Sequence, residues 1–395
     1  MSRASQGPKD DLVVIVAGTS WDGIWMPERH VAMHLAERCP VLWVDPPISC
    51  LTPLRSRAAA GALREPRLRP VAPNIMRLSP VTVPGPSRPV LRDVALRQAR
   101  RAVQRAIASL GGRVHTTIVA SLADMLDVVP HARRVFYGTD DFVAGAQLMG
   151  TDPGWLQRSE RKQLTLADVV VAISPVLWEK WSVQRPDVKM IPNGCAAAHF
   201  EMVDEAPLPA DVSLPRPIAG FVGHLSERID MGMLEAVAAR GHSLLLVGPR
   251  QPTFEIAKMD ALLQRPNVQW VGTKEFAELP SYLRVIDVGL TPYRQSQFNR
   301  ASFPLKTLEY LAAGRPVVAS DLPAHRWLET EHVSIAHDPV EFAAQSGARL
   351  ADGVRDGDVA ERKALAARHS WAARTGQIAA LIGLESVAAT PTRLV

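Results

Sequence analysis

The sequence has few cysteines and no long hydrophobic run. Its three cysteines are odd in number and lack the paired spacing of metal ligands, which indicates neither a disulfide framework nor a zinc site; they are Cys39, Cys50 and Cys195. The longest apolar runs, such as residues 12–17 and 169–173, are far shorter than the roughly 20 residues that a bilayer span requires. No apolar segment follows the charged N-terminus, so we expect no secretory signal and a cytoplasmic location.

The chain of 395 residues is long enough for two domains with separate cores. Apolar residues make up 47% and charged residues 22%, as in an ordinary globular protein. Residues 196–217 show no periodicity and carry four prolines, so we place the domain boundary near residue 205. We expect domains over residues 1–204 and 205–375, followed by a C-terminal helix and tail over residues 376–395 that packs back toward the N-terminal domain.

Short apolar runs alternate with helical patterns along the chain, which is typical of parallel sheets built from βαβ units. The predicted fold class is therefore α/β, with two Rossmann-like domains. The predicted strands lie at residues 12–17, 41–45, 116–120, 133–137, 168–173 and 189–192 in the N-terminal half, and at 218–222, 244–247, 268–271, 285–290, 316–320 and 333–336 in the C-terminal half. Residues 48–89 are rich in proline and arginine, and predict a long irregular loop.

Arginine is concentrated in one part of the N-terminal half. Twelve arginines lie between Arg55 and Arg105, against only Glu65 and Asp93. Residues 90–110 combine an apolar stripe with a basic face, which predicts an amphipathic helix. The basic face carries Arg92, Arg97, Arg100, Arg101 and Arg105. Two interpretations stay open: a solvated arginine-rich surface, or contact with an anionic membrane or acceptor.

The segment 299–320 is the most informative for function because it predicts a short helix followed by a strand. Ser302 can cap the helix, the first turn holds Pro304 and Leu305, and Gly314 can end it. The start of such a helix presents free N–H groups and a partial positive charge, which suits a pyrophosphate.

Two charged side chains of this helix are candidate donor ligands. Lys306 can add a full positive charge beside the phosphates, and Glu309 lies three residues on, where a carboxylate can accept hydrogen bonds from ribose hydroxyls. The alternative for both residues is an ordinary exposed ion pair at helical spacing.

The wider pattern resembles a known family. The motif PxKxxEYLAAGxPVV follows a GTKEFAELPSYLRVIDVGLTPY stretch, with Phe221-Val222-Gly223 before a loop and His369-Ser370-Trp371 before a terminal helix. Over most of residues 217–374 this resembles the C-terminal domain of GT-B glycosyltransferases, with the closest likeness to bacterial envelope polysaccharide transferases of the teichuronic-acid type. The resemblance implies the GT-B architecture, in which two Rossmann-like parallel-sheet domains face a central cleft.

The same resemblance implies the reaction and its partners. A sugar would move from a nucleotide-sugar donor, UDP-linked in preference to GDP-linked, to a hydroxyl of a glycan, lipid-linked or small-molecule acceptor. The nucleotide sugar would be a co-substrate, and no cofactor would be needed. We also expect no metal requirement, because Lys306, Arg228 and the helix start would neutralise the leaving diphosphate.

Further donor contacts are implied by matching positions. Near the diphosphate these are Gly223, His224 and Arg228; around the nucleobase they are Gly272 and Lys274; toward the sugar it is Asn299. The chain departs from the wider superfamily at Ala301, where many members carry a glutamate eight residues before the one at Glu309. This departure leaves open whether transfer retains or inverts the anomeric configuration.

Acidic residues in the N-terminal half are candidate bases for the acceptor hydroxyl. Asp22 follows the first strand, and Asp140 and Asp141 follow the strand at residues 133–137, at the carboxyl edge where open α/β sheets bind ligands. Helix capping is the alternative role for these aspartates. His30 is more typical of a packed or solvated histidine than of a catalytic one.

Two other classes of protein fit less well. A nucleotide-dependent oxidoreductase would need a GxGxxG after a strand, which is missing. A non-catalytic nucleic-acid or membrane-surface protein would account for the arginines but would leave the donor motif without a role. We therefore expect no nucleic-acid partner and only peripheral contact, if any, with an anionic membrane.

Overall fold

The computed structural model describes residues 11–23, 25–51, 67–84, 89–353 and 356–384. The chain divides into two compact units, one made of residues 1–173, 177–191 and 374–395, the other of residues 174–176 and 192–373. The long segment of the second unit thus begins at Pro192, before the boundary that the sequence predicts near residue 205. The reason is that the intervening segment bonds within the second unit, where Cys195 N donates to His369 O at 2.9 Å.

The first unit contains an eight-stranded sheet and a two-stranded one. The strands are β1 (Asp11–Val16), β2 (Val41–Val44), β3 (Ile48–Ser49), β4 (Leu68–Ala72), β5 (Ile75–Leu78), β6 (Val81–Thr82), β7 (Arg113–Val119), β8 (Arg133–Gly138), β9 (Val169–Ala172) and β10 (Lys189–Met190). The large sheet has the order β10-β9-β8-β7-β1-β2-β5-β4, and β3 pairs with β6. All pairs are parallel except β4 with β5. Valine-rich β1 and β2 are buried on both faces, as expected for parallel strands between helices.

The prediction of a long loop over residues 48–89 is wrong for the described part, which contains β3 to β6. Strands β4 and β5 form a hairpin whose turn includes Asn74 at φ 57°. An arginine in β5, Arg77, is only 4% exposed because its guanidinium pairs with Asp45, and this buried charge hides the strand pattern. Residues 52–66 and 85–88, with Arg55, Arg57, Arg64 and Arg88, lie outside the described residues.

Between residues 27 and 182, the described parts of the chain include the helices α1 (Pro27–Leu35), α2 (Pro89–Leu110), α3 (Pro153–Leu166) and α4 (Pro175–Ser182). Helix α2 confirms the helix predicted at residues 90–110 and buries small apolar residues such as Ala99 and Val103. Within the described ranges, no helix is both long and apolar enough to cross a membrane.

The second unit contains a six-stranded, all-parallel sheet of order β13-β12-β11-β14-β15-β16. Its strands are β11 (Ile218–Val222), β12 (Ser243–Val247), β13 (Val268–Trp270), β14 (Val288–Thr291), β15 (Val317–Ser320) and β16 (Val333–Ala336). Every strand predicted in this half is present. The one predicted at 285–290 starts later, because the preceding helix continues to Val285.

The helices from residue 197 onward are α5 (Ala197–Phe200), α6 (Met231–Ala239), α7 (Ile256–Leu263), α8 (Leu279–Val285), α9 (Gln297–Ala301), α10 (Leu305–Ala312), α11 (Pro323–Trp327), α12 (Pro339–Asp352), α13 (Asp356–Arg368) and α14 (Trp371–Ile382). Short 3-10 turns cover Val203–Glu205 and Phe276–Glu278. Helix α12 packs with α6 on the core of the second unit, in which Phe221, Leu246 and Phe342 are almost fully buried.

Each large sheet has one point where the strand order reverses. In the first sheet, β1 lies between β2 and β7; in the second, β11 lies between β12 and β14. At such a switch point the connections leave in opposite directions, so a crevice opens outside the carboxyl ends of the two strands. The loops after β1 and β7, and those after β11 and β14, are therefore the places where each unit can bind a ligand.

Candidate functional site

The clearest site lies at the switch point of the second sheet, below helix α10. Tyr310 anchors this helix across the crevice: its hydroxyl donates to Gly220 O at 3.1 Å and accepts from Val222 N at 2.7 Å. Its ring occupies the space above Gly289 of β14, where an added Cβ would lie 2.3 Å from Tyr310 Cγ. The first turn of α10 is thus fixed at the carboxyl ends of β11 and β14.

The two charged side chains predicted on this helix lie on one face. Lys306 Nζ and Glu309 Oε2 are 2.7 Å apart, and the side chains are 26% and 12% exposed. The prediction that Ser302 caps the helix is wrong: its hydroxyl donates to Phe298 O, and the N-cap position belongs to Pro304. Because no side chain caps α10, its first N–H groups remain available to an anion.

Arg228 reaches the same place from the loop after β11. Its Nε donates to Asn299 Oδ1 at 2.8 Å and its Nη2 to Ser302 Oγ at 3.2 Å. Within the described part of the chain, no carboxylate lies at ion-pair distance from this guanidinium. Arg228 therefore keeps a full positive charge that a ligand can neutralise.

Asn299 holds Arg228 in position. It is fully buried, and its amide donates to Arg228 O at 2.9 Å and to Arg294 O at 3.0 Å while its oxygen accepts from the guanidinium. These bonds use both of its amide hydrogens. A direct contact of Asn299 with the sugar stays a prediction, and the geometry instead shows it positioning the arginine.

The phenol of Tyr293 lies close enough to Arg228, Lys306 and Glu309 to be influenced by all three charges. Burial raises the pKa of this phenol, Arg228 and Lys306 lower it, and Glu309 raises it, so all three charged groups act on one hydroxyl. The guanidinium also lies 5.5 Å from the ring centroid. Two cations against one carboxylate leave the crevice positive, which suits a diphosphate.

Glycine turns close the other side of the crevice. An added Cβ on Gly248, at φ +128°, would lie 2.1 Å from Gly223 O, and Gly248 N donates to Gly272 O at 2.8 Å. Gly272, at φ +74°, faces open space, and His224 is exposed beside Gly223. Sequence patterns did not identify Gly248 as a residue of the site. A glycine followed by Pro249 at the end of an apolar strand was the feature that could have identified it.

Lys274 already has a partner in the second unit. Its ammonium lies 2.6 Å from Asp211 Oδ2 and 5.1 Å from the Tyr282 ring centroid, and the hydrogen bond to Asp211 raises the pKa of the lysine. A nucleobase contact by Lys274 stays a prediction. The ion pair holds Asp211, which lies in the predicted interdomain segment, in the part of the second unit that contains α8. No local sequence pattern could show this pairing.

The three candidate aspartates of the first unit have different surroundings. Asp22 Oδ2 accepts from Arg77 at 2.6 Å. Asp141 is 2% exposed and accepts from Ala144 N and from Lys180, both at 3.0 Å, so it stabilises the turn after β8; the segment that follows it is a turn and not the helix that the alternative role required. Asp140 is half-buried.

A buried glutamate near Asp140 was missed. Glu28 is 1% exposed on α1, its Oε1 accepts from Gly18 N at 3.2 Å, and its Oε2 has no hydrogen-bond partner. Burial raises the pKa of Glu28 to about 7, and the charge of Asp140 adds to the shift. In the sequence, Glu28 follows Pro27 as an ordinary acidic residue of a first helical turn, so nothing distinguished it.

Among the residues that the structure describes, no group of three or more His, Cys, Asp or Glu side chains could hold a metal ion. The three cysteines are free thiols, with Cys39 and Cys195 buried and Cys50 exposed. His30 lies on α1 with its ring centroid 5.0 Å from that of Trp25, in a packed position.

A buried histidine supports α10 from beneath. His325 Nδ1 donates to Ser320 O at 2.7 Å, which leaves Nε2 to accept from Thr307 Oγ1 at 3.0 Å. Burial lowers the pKa of His325 from 6.5 to about 4. The folded protein therefore binds fewer protons than the unfolded chain between these two pH values.

Acid should destabilise the protein through this histidine. The contribution is complete above pH 6.5 and is lost as the pH falls toward 4, by roughly 3 kcal/mol in all. We expect urea unfolding of His325→Gln to show a shallower loss of stability over this range than the wild type, since glutamine cannot titrate. Parallel pH profiles for the two proteins would contradict this role.

Comparison with known proteins agrees with this geometry. Residues 216–352 match the family described as Glycosyl transferases group 1. A protein of Bacillus subtilis strain 168 named as a glycosyltransferase of teichuronic acid biosynthesis, TuaH, is 29% identical over 244 residues, which are 58% of this chain and 60% of that protein. The aligned region thus spans less than two thirds of that relative.

Solved structures resemble the whole chain. Sucrose-phosphate synthase from Thermosynechococcus elongatus has a TM-score of 0.70 at 19% identity, covering 94% of this chain and 98% of its own. HepE from Anabaena, solved with UDP and glucose, has a TM-score of 0.59 at 15% identity, covering 94% and 99%. The predicted GT-B fold is confirmed, and the resemblance to group 1 glycosyltransferases holds over the second unit.

Proposed function

We propose that this protein is a glycosyltransferase that transfers a sugar from a nucleotide-sugar donor, preferably UDP-linked, to a hydroxyl of a glycan, lipid-linked or small-molecule acceptor in cell-envelope polysaccharide synthesis. The convergence of Arg228, Lys306 and Glu309 at the switch point of a sheet matched by the group 1 family carries the proposal. The envelope setting is supported by the similarity to the Bacillus protein.

The donor diphosphate would lie on the uncapped start of α10, between Lys306 and Arg228. As the bond to the sugar breaks, negative charge grows on the leaving diphosphate, and fixed cations stabilise it without reorganisation. Glu309 would accept hydrogen bonds from nucleotide hydroxyls. Lys306 and Glu309 also pair with each other, so donor binding would exchange this ion pair for contacts to phosphate and hydroxyl groups.

The first unit would bind the acceptor. Asp22 and Asp140 stay candidate bases for its hydroxyl, while the two bonds that Asp141 accepts favour a structural role for it. We propose that donor binding and transfer need no metal ion, because two protein cations already face the diphosphate position.

Thermal shift with nucleotide sugars tests the proposed function. UDP-sugars should raise the melting temperature more than GDP-sugars, since a ligand that binds only the folded state stabilises it. EDTA should leave that shift and the release of UDP during transfer unchanged. If no nucleotide sugar raises the melting temperature, the proposed function is wrong. If EDTA abolishes the increase, only the proposal that donor binding needs no metal ion is wrong.

The basic face of α2 is smaller than the sequence predicts. Arg100 pairs with Asp127 at 2.7 Å, and Arg92 lies 4.4 Å above the Trp155 ring centroid. Exposed arginines with no carboxylate partner among the described residues are Arg97, Arg101 and Arg105. We propose that these three side chains provide reversible contact with an anionic membrane at its cytoplasmic face.

Vesicle co-sedimentation tests the membrane contact. Each arginine near an anionic lipid surface contributes about 1 kcal/mol, so replacing the three exposed ones with glutamine should weaken binding by more than about tenfold at low salt. A matched variant that loses Arg240, Arg265 and Arg368, exposed on the second unit, should bind like the wild type. Equal binding by all three proteins would rule out this face.

A further inference from the structure

An arginine of the first unit has no ionic partner although it is packed among tryptophans. Arg29, on α1, lies with its guanidinium carbon 3.9 Å from the Trp25 ring centroid and 4.5 Å from that of Trp21. Its Nε is buried and has no hydrogen-bond partner. Within the described ranges, no carboxylate lies at ion-pair distance from Arg29.

The carboxylate whose charge acts on Arg29 is engaged by another arginine. Asp22 lies close enough to influence Arg29, but its oxygen bonds Arg77 at 2.6 Å. Arg77 is fixed in turn by Asp45, whose other oxygen accepts from Trp21 N at 2.9 Å. Trp21 and Asp22 of the loop after β1 are therefore bonded to Asp45 and Arg77, and these contacts leave the charge of Arg29 unneutralised.

Arg29 also lies near the place where the first sheet can bind a ligand. Helix α1 begins just after the loop that follows β1, and this loop borders the switch point between β1 and β7. Its neighbour Trp25 is 39% exposed, and an indole of this kind offers an apolar surface to a sugar ring. A planar guanidinium presents paired N–H donors that match the oxygens of a phosphate or carboxylate.

We propose that Arg29, together with Trp21 and Trp25, forms an oxyanion-recognition site that selects a ligand whose sugar carries a phosphate or a carboxylate. Partial burial of the guanidinium against two aromatic rings strengthens its attraction for an anion, because water competes less well there. The inference rests on the proposed glycosyl transfer only in taking this ligand as the acceptor; the binding site itself does not depend on it.

Isothermal titration of the full chain, without donor, tests the site. We expect wild-type protein to bind glucose 6-phosphate and glucuronate about tenfold or more tightly than glucose. Arg29→Gln should remove this preference, whereas Arg161→Gln, which deletes an exposed arginine of α3 in the same unit, should keep it. Arg29→Lys retains the charge and should retain part of the preference.

Vesicles containing phosphatidylglycerol provide a second arm that identifies the source of the oxyanion. Binding of the vesicles that depends on Arg29, without binding of the sugar phosphate, would assign the site to a lipid headgroup. Equal binding of neutral and anionic sugars by the wild type, together with vesicle binding that Arg29→Gln leaves unchanged, would overturn the inference. UDP-sugar binding measured on the same samples separates the two proposals, since it reports on the donor crevice of Arg228, Lys306 and Glu309.

Discussion

Replacing Lys306 with methionine, or Glu309 with glutamine, is expected to weaken donor binding or turnover by about tenfold to a hundredfold, which corresponds to the roughly 1.5–3 kcal/mol of a lost charged hydrogen bond. Both side chains are mostly buried in a crevice where fixed charges face the position of the diphosphate. Titration with a UDP-sugar and initial rates of UDP release would measure the effect.

A matched control is available in the second unit. Lys258 forms an ion pair with Glu255 at 3.2 Å, also at helical spacing three, but on α7 and away from α10. Lys258→Met should change neither donor affinity nor turnover. The role assigned to α10 fails if Lys306→Met and Glu309→Gln bind and turn over the donor as the wild type does, while unfolding at the same temperature.

The second large effect is expected at Gly248. Alanine there would place a methyl group 2.1 Å from the Gly223 carbonyl, in a backbone conformation of φ +128° that only glycine adopts readily. Backbone cannot yield as a flexible side chain can, so we expect a loss of about 3 kcal/mol or more in the free energy of unfolding. Displacement of the Gly223 turn should weaken donor binding as well.

Gly241→Ala is a control that measures the cost of backbone strain at a positive φ without a steric clash. Gly241 also has a positive φ, +82°, but an added Cβ would meet nothing within 4 Å. Urea unfolding should show a loss of about 1 kcal/mol for Gly241→Ala, markedly less than for Gly248→Ala, with donor affinity unchanged. Similar losses for the two variants would mean that the contact with Gly223 relaxes freely.

The sequence was most informative where local signals agreed with one another. Continuous apolar runs placed the strands of both sheets to within a few residues, and the spacing of Lys306 and Glu309 correctly put both on one face of a helix. Strand β5 was missed because its buried Arg77 is neutralised by Asp45, a residue 32 positions away. No pattern within a short window can reveal a partner at that separation.

At the site, too, local patterns predicted some residues, whereas contacts between distant residues could be found only in the folded chain. The resemblance suggested Arg228 and Asn299, but only the structure reveals that the buried amide of Asn299 holds the arginine through two hydrogen bonds and makes a third to Arg294 O. The expected cap at Ser302 was wrong because its hydroxyl instead bonds Phe298 and Arg228. Nothing in the sequence distinguished Arg29 or Glu28, because desolvation of a side chain and the lack of an ionic partner arise only in the folded chain.

Tyr310 has a consequence for building hybrid enzymes. Its hydroxyl takes the place of a strand-to-strand hydrogen bond at Gly220 and Val222, and its ring fits only because residue 289 is glycine. A helix transferred from another protein would therefore need its own tyrosine and a glycine at the position of Gly289 in the recipient sheet. Exchanging α10 alone would leave either a cavity or a steric clash between the helix and the sheet. The smallest segment that could be transferred between proteins therefore runs from β11 through α10.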